Sequence, residues 1–405
     1  MNKSRCAAAL AVLSVSLVAQ SKIIVVDAQN RPGTDFKDLP VAVLAAKPGD
    51  RLAVRAGTYF GFTTDKGIAV LGEPGSRIVA AALFQTTVRV QNLPKGASFR
   101  LSGFQLLPRR FGDQMAFSGR NCKGAIHLER LTGARQASIA GPLRPTALFD
   151  SCKEVTLAQC KFTGQPAVLI RSGTLLAADT ECVGVNGFAG HGEFAAGAGV
   201  RAEHSHAVLS RCVLVGGSLA GSGRGLFVRA QPGLDSVAST WTVTGAAGTS
   251  VRGGSAVPSA PAIGGKGSVT LDPIVRLVPG RGAPPVGSGI TLQRQDVPSL
   301  RALGAPLKGT VRIDLRSRPG DFGFLFSGAL AGRLPLGSFG DFWLDPRRTF
   351  FVAAGTHDRN GKLALAIPVP GNWGLFGLRI AWQGFAGTLS GGLRLSNPAS
   401  YVHDK

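Results

Sequence analysis

Acidic residues are scarce in this chain. Its 405 residues hold 23 Asp and Glu against 45 Lys and Arg, and 32 of the basic residues are Arg. The acids are also scattered, which works against any chemistry that needs two or three carboxylates side by side. Cysteine is limited to six, with no C-x-x-C and no His-rich spacing beside it, so no metal site is read. After Ala19 no apolar run reaches membrane-spanning length without a charge, Gly or Pro, so no transmembrane anchor is read either. Amphipathic helix periodicity is nearly absent beyond residue 45. Charged residues make up only 17% and hydrophobic ones 44%, the composition of a packed protein and not a disordered one.

Glycine is abundant, with 56 residues, about twice the usual share of roughly 7%. It recurs among short Val, Leu and Ile runs, as expected of many tight turns between short strands. The formal charge of +22 would attract polyanions such as acidic polysaccharide or other cell-envelope glycan. The alternative is Arg spread over a solvated surface. No nucleic-acid module accompanies the charge, so nucleic acid is not an expected partner. Residues 1–21 read as a secretory signal: basic Lys3 and Arg5, an apolar Ala7 to Ala19, then small-x-small at Ala19-Gln20-Ser21. An extracytoplasmic location, secreted or at the cell surface, is the expectation.

The segment Phe36 to Tyr59, FKDLPVAVLAAKPGDRLAVRAGTY, reads as a short amphipathic helix, a Pro-Gly-Asp turn and a strand. The first coil of a solenoid has no neighbour, so something must cover its apolar end. With Gly49, Asp50, Leu52, Val54, Gly57, Thr58 and Tyr59, then Lys66-Gly67-Ile68, the segment resembles the N-terminal cap of secreted right-handed parallel β-helices of the pectate-lyase-like fold. Strand–turn–strand–Gly units at 147–164, 167–184, 198–217 and 224–245 resemble the irregular repeats of that fold. The insertion Gly184 to Gly199 reads as a loop thrown from one coil corner. The fold expected is all-β: residues 22–279 a parallel β-helix with an N-terminal capping helix, 280–289 a linker, and 290–405 a small antiparallel β-sandwich rich in Phe and Trp. Within the last part, Asp358, Asn360, Gly361, Pro368, Pro370, Leu375, Gly377, Leu378, Gln383, Leu395, Ser396 and Asn397 resemble a C-terminal module of exported planctomycete and myxobacterial proteins. That resemblance implies context and no chemistry.

Cys160, Cys182 and Cys212 each close an apolar strand and are expected to stack as an inward ladder. Cys122 and Cys152 sit in matching contexts, so stacking within disulfide range is open to them, as are two free thiols.

Leu169-Ile170-Arg171, Gly199-Val200-Arg201 and Phe227-Val228-Arg229 align, which predicts three outward Arg at one position of successive coils. They read as a basic stripe for acidic glycan. The competing reading is that their heads splay into water or pair with Asp150 and Glu203. Polysaccharide lyases of the resembled fold use Arg or Lys as base, often with Ca²⁺, and Arg171 or Arg201 could serve. The Asp cluster that would hold calcium is not visible among Asp150, Asp179 and Glu203, so no cofactor is supported. Gly190-His191-Gly192 resembles the GHG element of polygalacturonases, without the partner elements of that family. Glu193, Glu203, His204 and His206 could gather near it, and His204 and His206 would share a strand face at i, i+2. Trp343 and Trp373 could form a sugar-stacking platform, Trp343 being the better surface candidate, while Trp382 reads as core. Asp358 and Asn360 read as a turn.

The reading that results is an exported binding or structural protein, not assigned as an enzyme. Its candidate ligand residues are Arg171, Arg201, Arg229, His191 and Glu203, its catalytic residues are unassigned, and its ligand is an acidic polysaccharide. The alternative is a lyase or glycoside hydrolase acting on uronate-containing glycan.

Overall fold

The computed structural model of the chain describes residues 21–81, 86–108, 115–134, 145–188, 196–220, 229–245, 248–255, 259–388 and 392–403. The expected signal segment up to residue 20, together with His191 and Glu193, lies outside the described residues.

From residue 23 to residue 294 the chain winds as a right-handed parallel β-helix, the hand that parallel crossovers adopt. Each rung contributes one short strand to each of three parallel sheets. Sheet one contains Val88–Gln91, Phe117–Arg120, Ala147–Asp150, Val168–Arg171 and Val200–Glu203. Sheet two contains Arg51–Val54, Ala69–Gly72, Ser98–Ser102, Ala125–Glu129, Glu154–Ala158, Thr174–Ala178 and His206–Ser210. Sheet three runs from Thr58–Phe60 to Arg276–Val278. Leu234–Thr244 and Ile263–Leu271 are long enough to pass through sheets one and two without a break.

Two of the three corners are turned by a single residue in the left-handed region. Between sheets one and two these are Asn92, Asn121, Ser151, Ser172 and His204, with φ between 49° and 55°. Between sheets two and three they are Gly103, Arg130, Gln159, Asp179 and Arg211, with φ from 50° to 82°. The short polar side chains of Asn, Asp and Ser tolerate this region better than most. Each corner N–H is satisfied by the next rung: Asn121 donates to the Asp150 carbonyl and Ser151 to the Arg171 carbonyl, both at 2.9 Å. The third corner, from sheet three to sheet one, takes connections of varying length, and the insertion at Gly184 to Gly199 leaves from it.

The cap is the helix Leu39–Ala45, started by Asp38, whose carboxylate accepts from the Leu39 N–H at 2.7 Å. Leu39, Ala42 and Val43 are buried in the solenoid core, and the Lys66 ammonium donates to the Val43, Leu44 and Ala46 carbonyls at the helix end. Inside the coil, Phe62, Phe99, Phe117 and Phe149 stack on successive rungs, with centroids 6.4, 6.4 and 5.5 Å apart.

The five described cysteines are buried and free. Cys152 follows Cys122 by one rung in register. The expected Cys160–Cys182–Cys212 ladder is not formed. Lys161, Glu181 and Val213 are in register, so Cys160 and Cys212 flank Thr180, while Cys182 lies between Phe162 and Leu214. All three cysteines still point inward.

The strand Ile290–Arg294 pairs in parallel with Gly267–Leu271, so the solenoid runs past the 280–289 segment drawn as linker. After it come antiparallel sheets: Ser299–Leu303, Thr310–Arg316 and Lys362–Pro368 in one, and Phe322–Gly328, Phe350–Thr356, Arg379–Thr388, Gly392–Leu395 and Ala399–Val402 in the other. Leu300, Ile313, Leu315, Leu325, Trp382 and Tyr401 fill the core between them. This sandwich lies along sheet two. Leu71 and Ala53 pack on Phe376 and Val402, and Leu176 and Val208 on Trp343. Between these contacts Arg379 donates to Thr156 Oγ1 at 2.6 Å, and the Val402 N–H to Glu129 Oε2 at 3.0 Å. Arg211 donates to the Leu300 carbonyl at 2.8 Å. Sheet two is thus covered on both faces, which explains its near-continuous burial.

Candidate functional site

With sheet two covered, sheet one carries the sequence candidates. Its strands alternate inward and outward, and the outward residues of successive rungs stand in two columns. One column runs Arg89, Ser118, Leu148, Leu169, Arg201, Asp235. Its middle members Ser118, Leu148 and Leu169 are buried. The other runs Arg120, Asp150, Arg171, Glu203, Val237, Lys266, and so alternates in charge through four rungs.

The predicted ladder of Arg171, Arg201 and Arg229 is therefore corrected. Arg171 pairs in register with Glu203, and Arg201 sits between Leu169 and Asp235. Arg229 is exposed and lies ahead of the strand that begins at Leu234, so it joins neither column. The pairing reading holds for Glu203. Arg171 Nε donates to Glu203 Oε2 and Arg201 Nε to Glu203 Oε1, each at 2.8 Å. Arg201 Nη1 also lies 3.3 Å from Asp235 Oδ2. One guanidinium thus spans two carboxylates of adjacent rungs. Alternation of sign down a column relieves the repulsion that three stacked Arg would meet.

The two carboxylates are tuned in opposite directions. Partial burial pushes Glu203 up, but hydrogen bonds from Arg171 and Arg201 outweigh it and leave its pKa below the ordinary value. Burial raises Asp235, and the attraction of Arg201 does not cancel it. The cations are the outer groups. Arg120, Arg171 and Lys266 are exposed, while Asp150, Glu203 and Asp235 are half-buried.

His204 and His206 do not share a face. His204 is the left-handed corner residue at φ 50°, and His206 opens the next strand on sheet two. Trp343 is not a surface platform: it is 2% exposed and stacks on His206 at 5.7 Å. Trp373 is half exposed, against Phe376 at 5.6 Å. Asp358 and Asn360 form a turn, the Asp358 carboxylate accepting from the Asn360 and Lys362 N–H groups. Asp235 was not a candidate in the sequence. Its signal was available: it stands outward in a strand, one rung from Arg201, once the register is known.

No family model matches the chain, and no curated protein matches it. Among solved structures the chain resembles the enzymatically active domain of tailspike protein 2 of bacteriophage CBA120. The likeness has 8% identity and a TM-score of 0.29, over 86% of this chain and 72% of that one. Full-length tailspike protein 2 of an Escherichia coli O157:H7 bacteriophage gives 8% identity and a TM-score of 0.30, over 83% of this chain and 61% of that one. The Dettilon tailspike protein gives 11% identity and a TM-score of 0.25, over 78% of this chain and 87% of that one.

Proposed function

We propose that the chain is an exported glycan-binding protein that takes an acidic polysaccharide along sheet one. The observation that carries the reading is the depth order of its charges. Arg120, Arg171 and Lys266 reach solvent, and Glu203, the carboxylate that holds Arg171, lies further in. A guanidinium kept in position from behind by a carboxylate has less side-chain freedom to lose when an anion arrives in front. At about 4.8 Å per rung, Arg120 and Arg171 stand two rungs apart, so a polymer with carboxylates at about twice that repeat could meet both at once. The test is affinity for polygalacturonate and alginate across a salt series, for the native protein and an Arg120→Gln/Arg171→Gln variant. Binding should weaken steeply with salt and fall in the variant. Salt-insensitive binding, or equal affinity in the variant, would refute it.

A second reading rests on Glu203 and Asp235. Carboxylates whose environments push their pKa values apart suit acid and base roles in glycoside hydrolysis, and these two flank one guanidinium on adjacent rungs. New reducing ends from a uronate glycan, lost in Asp235→Asn, would favour the hydrolase. Unsaturated uronate absorbance would favour a lyase.

A further inference from the structure

We propose that the cleft between the sandwich and the last rungs of sheet two is a separate binding site, for a short oligosaccharide bearing a carboxylate. Its floor, walls and charge each point to that ligand class.

The floor is a change of residue type along sheet two. Beside Trp343 the outward residues are apolar, Leu176 and Val208. Further along they turn to hydroxyls and amides. In register, His206 is followed by Thr240, Ser268 and Thr291, and Val208 by Thr242, Thr270 and Gln293. Of these, Thr240, Thr242, Thr270 and Gln293 line the cleft, donors and acceptors from three rungs that suit the hydroxyls of a sugar and are wasted on an apolar ligand.

One wall is the hairpin made by Leu330–Pro335 and Asp341–Leu344, and the other is the segment 394–397. Gln383 holds them together. Its fully buried amide accepts from the Trp343 N–H at 2.8 Å and donates to the Asp341 carbonyl at 2.7 Å and the Ser396 carbonyl at 2.9 Å. Two of these hydrogen bonds go to the hairpin and one to the segment 394–397, so Gln383 bridges the walls and sets the width of the cleft before any ligand enters. The enclosed volume of about 360 Å³ falls in the range of small-ligand sites.

The charge is positive on balance. Arg333 and Arg394 line the cleft, and its one lining acid among the described residues, Asp341, is engaged with Arg333 at 2.8 Å. His206 closes one end, its Nε2 lying 3.5 Å from Asp341 Oδ2. Phe339, 46% exposed at the rim, offers a ring face for stacking.

The test is calorimetric titration with tri-galacturonate, a probe too short to need many rungs of sheet one. A Thr242→Val/Thr270→Val variant removes two hydroxyls without changing side-chain shape. It should weaken binding by about 2–10-fold per lost hydrogen bond. Arg394→Gln should weaken it further and flatten its salt dependence, while Arg312→Gln, at an exposed arginine of the strand Thr310–Arg316, should stay within twofold of the native protein. An unchanged unfolding midpoint in the cleft variants would exclude misfolding as the cause. No binding by the native protein, equal affinity in the cleft variants, or an equal loss in the Arg312 variant would overturn the proposal. The sheet-one reading is tested apart from it, by polygalacturonate affinity in Arg120→Gln/Arg171→Gln.

Discussion

Trp343 stacks on His206 across the boundary between sandwich and solenoid, with planes inclined at 26°. Trp343 belongs to the sandwich by chain position, yet its apolar neighbours Leu176 and Val208 are solenoid residues. The two parts therefore share a buried face, and their stabilities are coupled.

Replacing Trp343 by Ala should cost about 3–5 kcal/mol, the usual range for a large buried aromatic. Calorimetry of the native protein should show the sandwich and solenoid unfolding in one transition, and the Trp343→Ala variant should show the sandwich melting first. Two separate transitions in the native protein would contradict the coupling.

Glu129 gives the interface a pH dependence of known sign. Burial raises its pKa to about 7, against an ordinary value of 4.5. Between those values the folded protein holds a proton that the unfolded chain has released, so this carboxyl's contribution to stability falls as pH rises from 4.5 to 7. Glu129→Gln, which keeps an acceptor for the Val402 N–H, should remove that slope. The test is the difference in unfolding midpoint between variant and native protein at pH 5 and pH 8. The variant should gain on the native protein at the higher pH, and a constant difference would show that Glu129 is not titrating in this window.

Glu203→Gln should weaken binding of polygalacturonate. The substitution removes the carboxylate that holds Arg171 and Arg201 in position, and so restores side-chain freedom that the ligand must then quench. The stability lost should be small, about 1 kcal/mol or less, because Arg171 is largely solvated. Equal or stronger polygalacturonate binding in this variant would mean that Glu203 does not position these arginines for the glycan.

The thiols of Cys160, Cys182 and Cys212 should react with a thiol reagent only as fast as the protein unfolds. They are buried, and burial raises their pKa values, to about 12 for Cys160 and about 11 for Cys212, so reactive thiolate is rare. Cys182→Ala should cost about 1 kcal/mol or more through lost packing, read from denaturant midpoints. Rapid labelling of Cys182 in the native protein would show an exposed side chain.

The solenoid, its capping helix and the aromatic sandwich were legible because each is written locally: Asp38 before an apolar helix face, period-2 runs between glycines, and Phe-rich alternation after residue 300. The register of the rungs was not. A slip of one residue would turn every inward side chain outward and so betray itself, but a slip of two keeps inside in and outside out. Matching Arg171 to Arg201, and Cys182 to Cys212, were both such slips. The docking of the sandwich was hidden for a different reason. The strands Glu154–Ala158 and His206–Ser210 are largely buried on both faces, yet Glu154, Thr156, His206 and Ser210 give their outward faces the polar alternation of a solvated strand. The buried roles of Gln383, Ser396 and Asn397 belong to the same hidden layer. Ser396 Oγ donates to the Asn397 carbonyl, and Asn397 exchanges hydrogen bonds with the backbone of Leu300.

A solenoid turned by single-residue corners is in principle free to lengthen, since a duplicated coil finds the same neighbours above and below. This one is not free. The sandwich grips an early rung, where Arg51 donates to the Gly374 carbonyl, and a late one, where Arg211 donates to the Leu300 carbonyl. One inserted coil would draw those two grips apart by about 4.8 Å and break one of them. The sandwich therefore acts as a gauge that fixes the number of coils. Substitutions and loop insertions at the third corner leave that gauge untouched, so they are the changes this architecture can absorb.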